Sequence, residues 1–472
     1  MATTVNNTRN NPSEVLAEFL KDDATIGNES ATQNGMIVNH NMAAINTLTQ
    51  LSKNQSSLSK SLAKLSSGMK INSAADDPSG YQISERMRVQ IRSLDQANYN
   101  AQNGRSMLKV AEGAVSSTVE ILRTLKEKVI NAVNDTNTDV DRAAIQKEID
   151  ASIQEIDDNA LLTFNGKFLN NGARTSKGCA TANVLYTEQL AADTSANSTL
   201  ISLKDRNGKS LGIEDTDNIT VSYVIGGKTY TTTFTIDNKT LKELFENNFV
   251  CGTETKKGSD VFTFSDGTYL GTDSAGASVY TVDNGRAIAI TAKTAGIDTQ
   301  VSAICIGVSD KNGEMKAAVN SILDSFSEVI SARNASSDNS VALQIGANAN
   351  QRMNLSLDDM HASALGLSGK GQTVTVSDKT SATAALKVID NALQRALNQE
   401  ASIGAVMNRL EFTSNNLTTS SENLVAAEST YRDADMAKEM SEFTKNNILM
   451  QAATAMLSQA NQQNQGVLSL LQ

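Results

Sequence analysis

Histidine is the side chain most often recruited to acid–base, nucleophilic and zinc chemistry, and this chain carries it only at His40 and His361. Neither stands in an HExxH motif or beside a cysteine, so a zinc hydrolase centre and a Ser-His-Asp triad both lack their parts. A surface or interface role is the plainer reading of each. Three cysteines occur, Cys179, Cys251 and Cys305. An odd number allows at most one internal disulfide, and their scatter matches no metal-ligand spacing, which leaves buried or incidental thiols. Asp76-Asp77 and Asp358-Asp359 are adjacent acidic pairs. Acid–base work needs opposed carboxylates with separated pKa values, and Asp77 reads more simply as a helix cap. No GxxxxGK[ST] or GxGxxG run is present, so no phosphate cradle is visible. Gly226-Gly227 reads as a hairpin turn. Triplets such as Asn6-Asn7-Thr8 and Asn28-Glu29-Ser30 match N-x-[ST], which an Asn/Thr-rich chain does by chance. The expectation is a protein without catalytic, cofactor-binding or metal residues, and not an enzyme.

The bulk composition points the same way. Aromatic residues are 4% of the 472 and there is no tryptophan. Long thin helices with Leu, Ile, Ala and Met seams fit this better than a thick globular core. Only two prolines occur, Pro12 and Pro78, so helices can run far without interruption. The net charge of -11 and the pI near 4.9 exclude the basic face that nucleic-acid binding needs. No stretch approaches the roughly 18 apolar residues of a membrane helix, and no secretory signal precedes the first pattern. Composition alone therefore predicts a cytoplasmic protein with no membrane partner.

The elements that give the chain its organisation are heptad seams. Residues 1–35 are an arm without core pattern, expected to be disordered, in which Pro12–Leu20 spans two helical turns too short to be stable alone. From Ala44 a three-four stripe runs through Leu48, Leu51, Gln55, Leu58, Leu62 and Leu65, and stops at Ser66-Ser67-Gly68. After a break at residues 71–80, Asp77 as cap and Pro78 at the first turn open a long helix. Ile83, Met87, Ile91 and Leu94 begin it, and Leu108, Ala111, Val115, Thr118, Leu122, Leu125 and Val129 continue it. Residues 134–139 form a turn, and Ile145, Ile149, Ile153 and Ile156 mark a third helix.

The middle changes character. Ile219, Val221, Tyr223 and Ile225, then Tyr230, Thr232, Phe234 and Ile236, alternate across Gly226-Gly227, which predicts a β-hairpin. Further strands are expected at Val261–Phe264, Ser278–Val282 and Ala287–Ala292, and helices at Leu241–Phe245 and Met315–Ile330. Leu343–Gly346 and Met353–Leu357 read as another strand pair. From residue 380 a second helical seam includes Leu386, Ile389, Leu393, Ala396, Ile403, Met407, Leu410, Leu417, Leu424 and Tyr431. Its mean step of about 3.5 residues is that of a left-handed coiled coil. The fold class is thus mainly α at both ends, with the two ends paired, and an inserted β-rich or α+β middle domain.

The last stretch, Ile448 to Gln472, contains no charged residue. Ile448, Leu449, Met456, Leu457, Val467, Leu468 and Leu471 dominate it. A lone chain does not leave such a surface in water, so partners are required.

At both ends the motifs resemble those of bacterial flagellins. Met36-Ile37-Val38-Asn39-His40-Asn41 is similar to the family's start, and Leu65-Ser66-Ser67-Gly68-Met69-Lys70-Ile71-Asn72-Ser73-Ala74-Ala75-Asp76-Asp77-Pro78-Ser79-Gly80 to its segment between the innermost and next domains. Ala111-Glu112-Gly113-Ala114, Phe164-Asn165-Gly166-Lys167, Gln344-Ile345-Gly346-Ala347-Asn348 and Ala364-Leu365-Gly366-Leu367 are further landmarks. So are Ile403–Leu410, Asn415-Asn416-Leu417, Gln459-Ala460-Asn461-Gln462 and Val467–Gln472. The likeness covers about 36–172 and 341–472, and not the arm or the middle.

The resemblance implies a subunit that polymerises into the extracellular flagellar filament for motility, which overturns the cytoplasmic expectation. It implies an inner coiled coil from 36–79 and 437–472 and a helical core domain from 80–174 and 341–436. The variable outer domain would be 175–340. Leu48, Leu51, Leu58, Leu62 and Leu65 would meet the C-terminal apolar residues in the inner coiled coil. The implied partners are further copies of the chain, a secretion chaperone on the C-terminal helix, and filament cap and hook-junction proteins. Unfolded type III export is implied too. Because relatives begin near Met36, the expected start of translation is Met36, with 1–35 an upstream misassignment. The family's contact region for the flagellin-sensing Toll-like receptor falls on Arg123, Thr124, Lys128 and Glu148. Strongly recognised relatives carry arginine and leucine where this chain has Thr124 and Lys128, so weak activation is expected. The alternatives are a hook–filament junction protein and a flagellin whose middle domain is an adhesin.

Overall fold

The computed structural model describes residues 41–281 and 286–470, the side chains of 463–470 excepted. The arm 1–35, His40, Leu471 and the side chains of Val467 and Leu468 lie outside the described residues. The helices are α1 (Met42–Ser67), α2 (Pro78–Val133), α3 (Asp139–Ala160), α4 (Leu241–Glu246), α5 (Gly258–Val261), α6 (Ala317–Leu323), α7 (Ala362–Leu365), α8 (Lys379–Arg432) and α9 (Met436–Leu470). The chain divides into two units, one of residues 1–88 with 426–472 and one of 89–425.

In the first unit, α1 and α9 form an antiparallel pair. Lys64 Nζ lies 3.8 Å from a Glu439 carboxylate oxygen, and Asn41 Nδ2 donates to the Ala460 carbonyl at the other end, 3.1 Å away. Asn41 also caps α1, its side chain accepting from the Ala44 amide, and Gly68 closes the helix with φ 70°. The loop that follows is organised by Asp76, whose Oδ2 accepts from the amides of Asn72 and Ser73 at 3.1 and 3.0 Å. Those amides, Ser73 first, hold its carboxyl below the usual range. Asp77 caps α2 by accepting from Ser79 and Gly80. One acidic pair therefore serves a turn and a cap, not a reaction.

In the second unit the helical core is α2, α3 and α8. Leu108, Val115, Leu122 and Val129 are completely buried, and Ile149, Ile153 and Ile156 of α3 pack against them. Thr138 and Asp141 close a capping box that starts α3. On α8 the facing residues are mostly small in its first half, Ala382, Ala385, Val388, Ala392 and Ala396 beside Ile389, with Ile403 and Leu410 further along. Small side chains let the helices approach closely, so the first half of α8 sets alanines against the large residues of α2 and α3. Each large side chain removed from water contributes on the order of 1.5–3 kcal/mol.

The inserted domain contains two antiparallel sheets. The first has the order β12-β4-β5-β6-β7, with β4 Asn218–Ile225, β5 Lys228–Thr235, β6 Asn248–Cys251, β7 Glu254–Lys257 and β12 Val301–Ser309. The second has the order β13-β3-β11-β8, with β3 Val184–Thr187, β8 Phe262–Gly267, β11 Ala287–Ala292 and β13 Ser327–Ile330. The two sheets share one apolar core with α4 and α6. Tyr223 and Tyr230 are paired across the hairpin and their rings stack at 5.3 Å. Smaller pairs are β1 (Thr163–Phe164) with β2 (Lys167–Phe168), β9 (Tyr269–Thr272) with β10 (Ser278–Tyr280), β14 (Val341–Gln344) with β15 (Arg352–Leu355), and β16 (Ser368–Gly369) with β17 (Gln372–Thr373).

The α/β partition follows the sequence reading, with helical ends and a β-rich middle. Several details differ; the strand expected over Ser278–Val282 is Ser278–Tyr280, and Val282 lies outside the described residues. The helix expected over Met315–Ile330 is only Ala317–Leu323; after Asp324 the chain becomes β13, because Glu328 and Ile330 pair with Leu185 and Val184. The strand expected from Val261 starts at Phe262, after one helical turn. Val301–Ser309, the longest strand among the described residues, is absent from the sequence pattern: both its faces are largely covered, so its apolar run lacks the alternation of a half-buried strand.

The Gly226-Gly227 turn has φ 55° and 79°, as a two-residue hairpin loop requires. It also abuts the β16–β17 turn. A Cβ added at Gly227 would lie 2.7 Å from the Gln372 carbonyl oxygen. Only glycine permits both the conformation and the approach.

Candidate assembly surface

The α1–α9 pair determines which apolar groups remain available to other molecules. On α1 the residues turned into the pair are Ala44, Thr47, Leu51, Asn54, Leu58, Ser61 and Leu65. On α9 they are Glu439, Phe443, Asn446, Met450, Ala453, Leu457 and Ala460. Both sets keep three-four spacing. The expected α1 stripe differs from the observed one at alternate positions: spacing predicts Leu48, Gln55 and Leu62 in the seam, and Thr47, Asn54 and Ser61 occupy it. Leu48 and Leu62 are 56% and 55% exposed. Both stripes share Leu51, Leu58 and Leu65, and they differ by one residue, about 100° around the helix. Apolar content alone favours the leucines, but the register places small and polar side chains inside.

The leucines are thereby left outside the pair. Ile45 of α1 is exposed with them, and on α9 Ile448, Leu449 and Met456 are exposed while Leu457 is half-buried. Met436 and Met440 extend the exposed apolar set. An apolar surface of this extent on two thin helices requires a partner.

The join between α2, α8 and the loop after α1 is built around Arg432, which periodicity did not single out. It is 6% exposed. Its Nη1 donates to a Glu85 carboxylate oxygen at 2.6 Å, and its guanidinium lies 5.6 Å from the centre of the Tyr81 ring. Its backbone carbonyl accepts from Lys70 N at 2.7 Å, and Ala434 N donates to the Gly68 carbonyl at 2.9 Å. The Arg432 hydrogen bond holds the Glu85 carboxyl below its ordinary value. Charge surrounded by an apolar seam was the available signal: Arg432 follows the last seam residue, Tyr431.

The expected core-seam residues are placed as follows. Leu108, Val115, Leu122 and Val129 are buried, as are Ile403, Leu410 and Leu417, whereas Met407 and Leu424 are half-buried. Of the expected receptor-contact residues, Arg123 is exposed and pairs with Glu120 at 3.2 Å, and Thr124 donates its hydroxyl to the Glu120 carbonyl. Lys128 and Glu148 form an ion pair of 2.8 Å. The other acidic pair is also structural: Asp358 faces Arg333 at 3.4 Å, and Asp359 Oδ1 accepts from His361 Nδ1 at 2.6 Å. That contact raises the His361 pKa. Among the described residues no group of three or more His, Cys, Asp or Glu side chains could hold a metal, and no helix is long and apolar enough to cross a membrane.

The comparisons with known proteins match the two helical ends. Residues 38–175 match the family model for the bacterial flagellin N-terminal helical region, and residues 386–471 that for the bacterial flagellin C-terminal helical region. A flagellin of Clostridium tyrobutyricum is 36% identical over 434 residues, covering 91% of this chain and 100% of that protein. A flagellin of Bacillus subtilis (strain 168) is 33% identical over 457 residues, covering 92% of this chain and 100% of that protein. Among solved structures, the flagellar junction protein FlgL from Legionella pneumophila covers 70% of this chain and 99% of its own at 14% identity, with a TM-score of 0.28.

Proposed function

Since this chain belongs to the bacterial flagellin family, we propose that it is the subunit that polymerises into the extracellular flagellar filament and so serves motility. The family is structural, and the chain is no enzyme. The observation that carries the assembly reading is the exposed set Leu48, Leu62, Ile448, Leu449 and Met456 on the α1–α9 pair. In the polymer, residues 36–79 and 437–472 make the inner coiled coil, and 80–174 with 341–436 the helical domain around it. Residues 175–340 are the variable outer domain. Exposed apolar residues then meet neighbouring copies, and their burial drives polymerisation.

The terminal helices and the α2–α3 face carry the remaining partners of this reading. Before export through the flagellar type III apparatus, a chaperone covers the charge-free segment from Ile448 onward. Cap and hook-junction proteins meet the terminal helices at the ends of the polymer. The host Toll-like receptor is activated weakly, because Thr124 lacks a guanidinium and Lys128 engages Glu148.

The test is elongation. Purified chain added to short filament seeds is expected to grow long filaments in electron micrographs. A chain that binds seeds and forms only a short terminal ring would replace this reading with a junction protein.

A further inference from the structure

We propose that Lys387, Asn391 and Arg395 of α8 form a latch that holds the inserted domain in one orientation against the helical core, restraining a hinge in its two connecting segments. The three residues stand four apart, so they follow one another along a single helix face. Together they reach two segments of the inserted domain, 300–302 and 324–328. Lys387 Nζ donates to the Asp324 carbonyl at 2.9 Å and lies 3.3 Å from its carboxylate. Asn391 Nδ2 donates to the Ser302 carbonyl at 2.9 Å. Arg395 Nε donates to Glu328 at 2.6 Å, its Nη2 contacts the other carboxylate oxygen, and its Nη1 donates to Gln300 at 3.0 Å and to the Ala364 carbonyl. The Arg395 and Glu328 side chains are 13% and 7% exposed. A bidentate, largely desolvated pair fixes direction as well as distance.

The connecting segments are held differently. Residues 175–181 and 331–336 touch through two isolated bridges, Gly178 with Ser336 and Thr181 with Arg333. They border an open cleft of about 600 Å³ that Arg395 also lines. Gln399, one turn beyond Arg395, lines that cleft; it is 4% exposed and its Nε2 has no hydrogen-bond partner. The junction is thus pinned from α8 by directed polar bonds, and beyond them it narrows to a two-strand connection, tied by bonds such as Thr181 Oγ1 to the Ser331 carbonyl and Ser336 Oγ to the Ser176 carbonyl, beside an open cleft. Such a connection bends readily once the pins are removed. The latch makes the inserted domain a rigid extension of α8, independently of whether copies assemble.

The test uses the monomeric full chain in dilute solution. Spin labels at Lys311→Cys in the inserted domain and Thr419→Cys on α8 are placed in a background of Cys179→Ser, Cys251→Ser and Cys305→Ala. Pulsed dipolar spectroscopy is expected to give one narrow distance distribution. Arg395→Met combined with Glu328→Gln, which leaves no unpaired charge, is expected to broaden it at least twofold with far-UV circular dichroism unchanged. An unchanged width in the folded variant overturns the proposal. If that variant loses its fold, Asn391→Ala replaces it, read by amide exchange in residues 176–181 and 331–336. At least tenfold faster exchange is expected there, and no acceleration overturns the latch.

Discussion

Arg432 Nη1 and a Glu85 carboxylate oxygen lie 2.6 Å apart although 347 residues of chain separate them. This contact joins the N-terminal and C-terminal parts of the first unit, next to the segments that lead into α1 and α9. Arg432→Met keeps the stem's volume and removes the charge. The expected outcome is a chain whose second unit melts normally and whose ability to elongate filament seeds is largely lost. Normal elongation would exclude a role for the pair in placing the terminal helices. The contact also has a pH sense. The Glu85 carboxyl is depressed by its bond to Arg432, so its stabilisation is complete above the ordinary value of 4.5 and disappears as pH falls through the lower folded value. Acid titration of the wild type is expected to loosen this join below about pH 4.5, and the Arg432→Met chain should lack that component.

Leu62 and Leu122 are both seam leucines by spacing, and their exposures are 55% and 0%. Leu62→Ser is expected to change monomer stability by no more than about 0.5 kcal/mol and to impair elongation. Leu122→Ala should cost about 2–5 kcal/mol of stability in the second unit, because it opens a cavity in a closed core. Thermal unfolding of monomers beside an elongation assay separates the two, and equal stability losses would contradict the placement of Leu62.

Tyr223 is fully buried, and its hydroxyl has no hydrogen-bond partner, while the paired Tyr230 donates to Glu254 at 2.9 Å. Burial raises the Tyr223 pKa, so the hydroxyl stays neutral. Tyr223→Phe removes an unsatisfied polar group and keeps the ring stack. Denaturant unfolding should show a gain of up to about 1 kcal/mol; a loss of that size would mean the hydroxyl has a partner.

Gly227→Ala is expected to destabilise the inserted domain by at least about 1 kcal/mol, since alanine meets both a φ of 79° and a carbonyl 2.7 Å from its Cβ. Local unfolding should appear first as faster amide exchange at Gln372 and Thr373. Retained protection at those amides would argue that the two turns separate freely.

The Lys128–Glu148 pair is exposed, with side chains 38% and 53% accessible, and contributes little to stability. Its proposed consequence is on recognition. Thr124→Arg with Lys128→Leu frees the carboxylate and adds a guanidinium, and should raise a receptor-reporter response on the order of tenfold. A flat response would remove these positions from the account of weak activation.

Much of this was legible in one dimension. The seam through Leu108, Val115, Leu122 and Val129, the cap at Asp77-Pro78, the stop at Gly68 and the hairpin at Gly226-Gly227 each depend on residues within a few positions of one another, and local steric and capping rules suffice for them. Residue spacing also established that both ends are helical and that the segment from Ile448 onward carries no charge. What the tertiary structure decided was which of two overlapping stripes on α1 is internal. It placed Thr47, Asn54 and Ser61 against α9 and left Leu48 and Leu62 outside, because the register of a distant helix, and not local hydrophobicity, selects the buried edge. The same holds for β13, for the Arg395–Glu328 contact and for Arg432 with Glu85. In each, a residue's role is set by a partner far along the chain, and spacing along a sequence carries no information about distances that only folding creates.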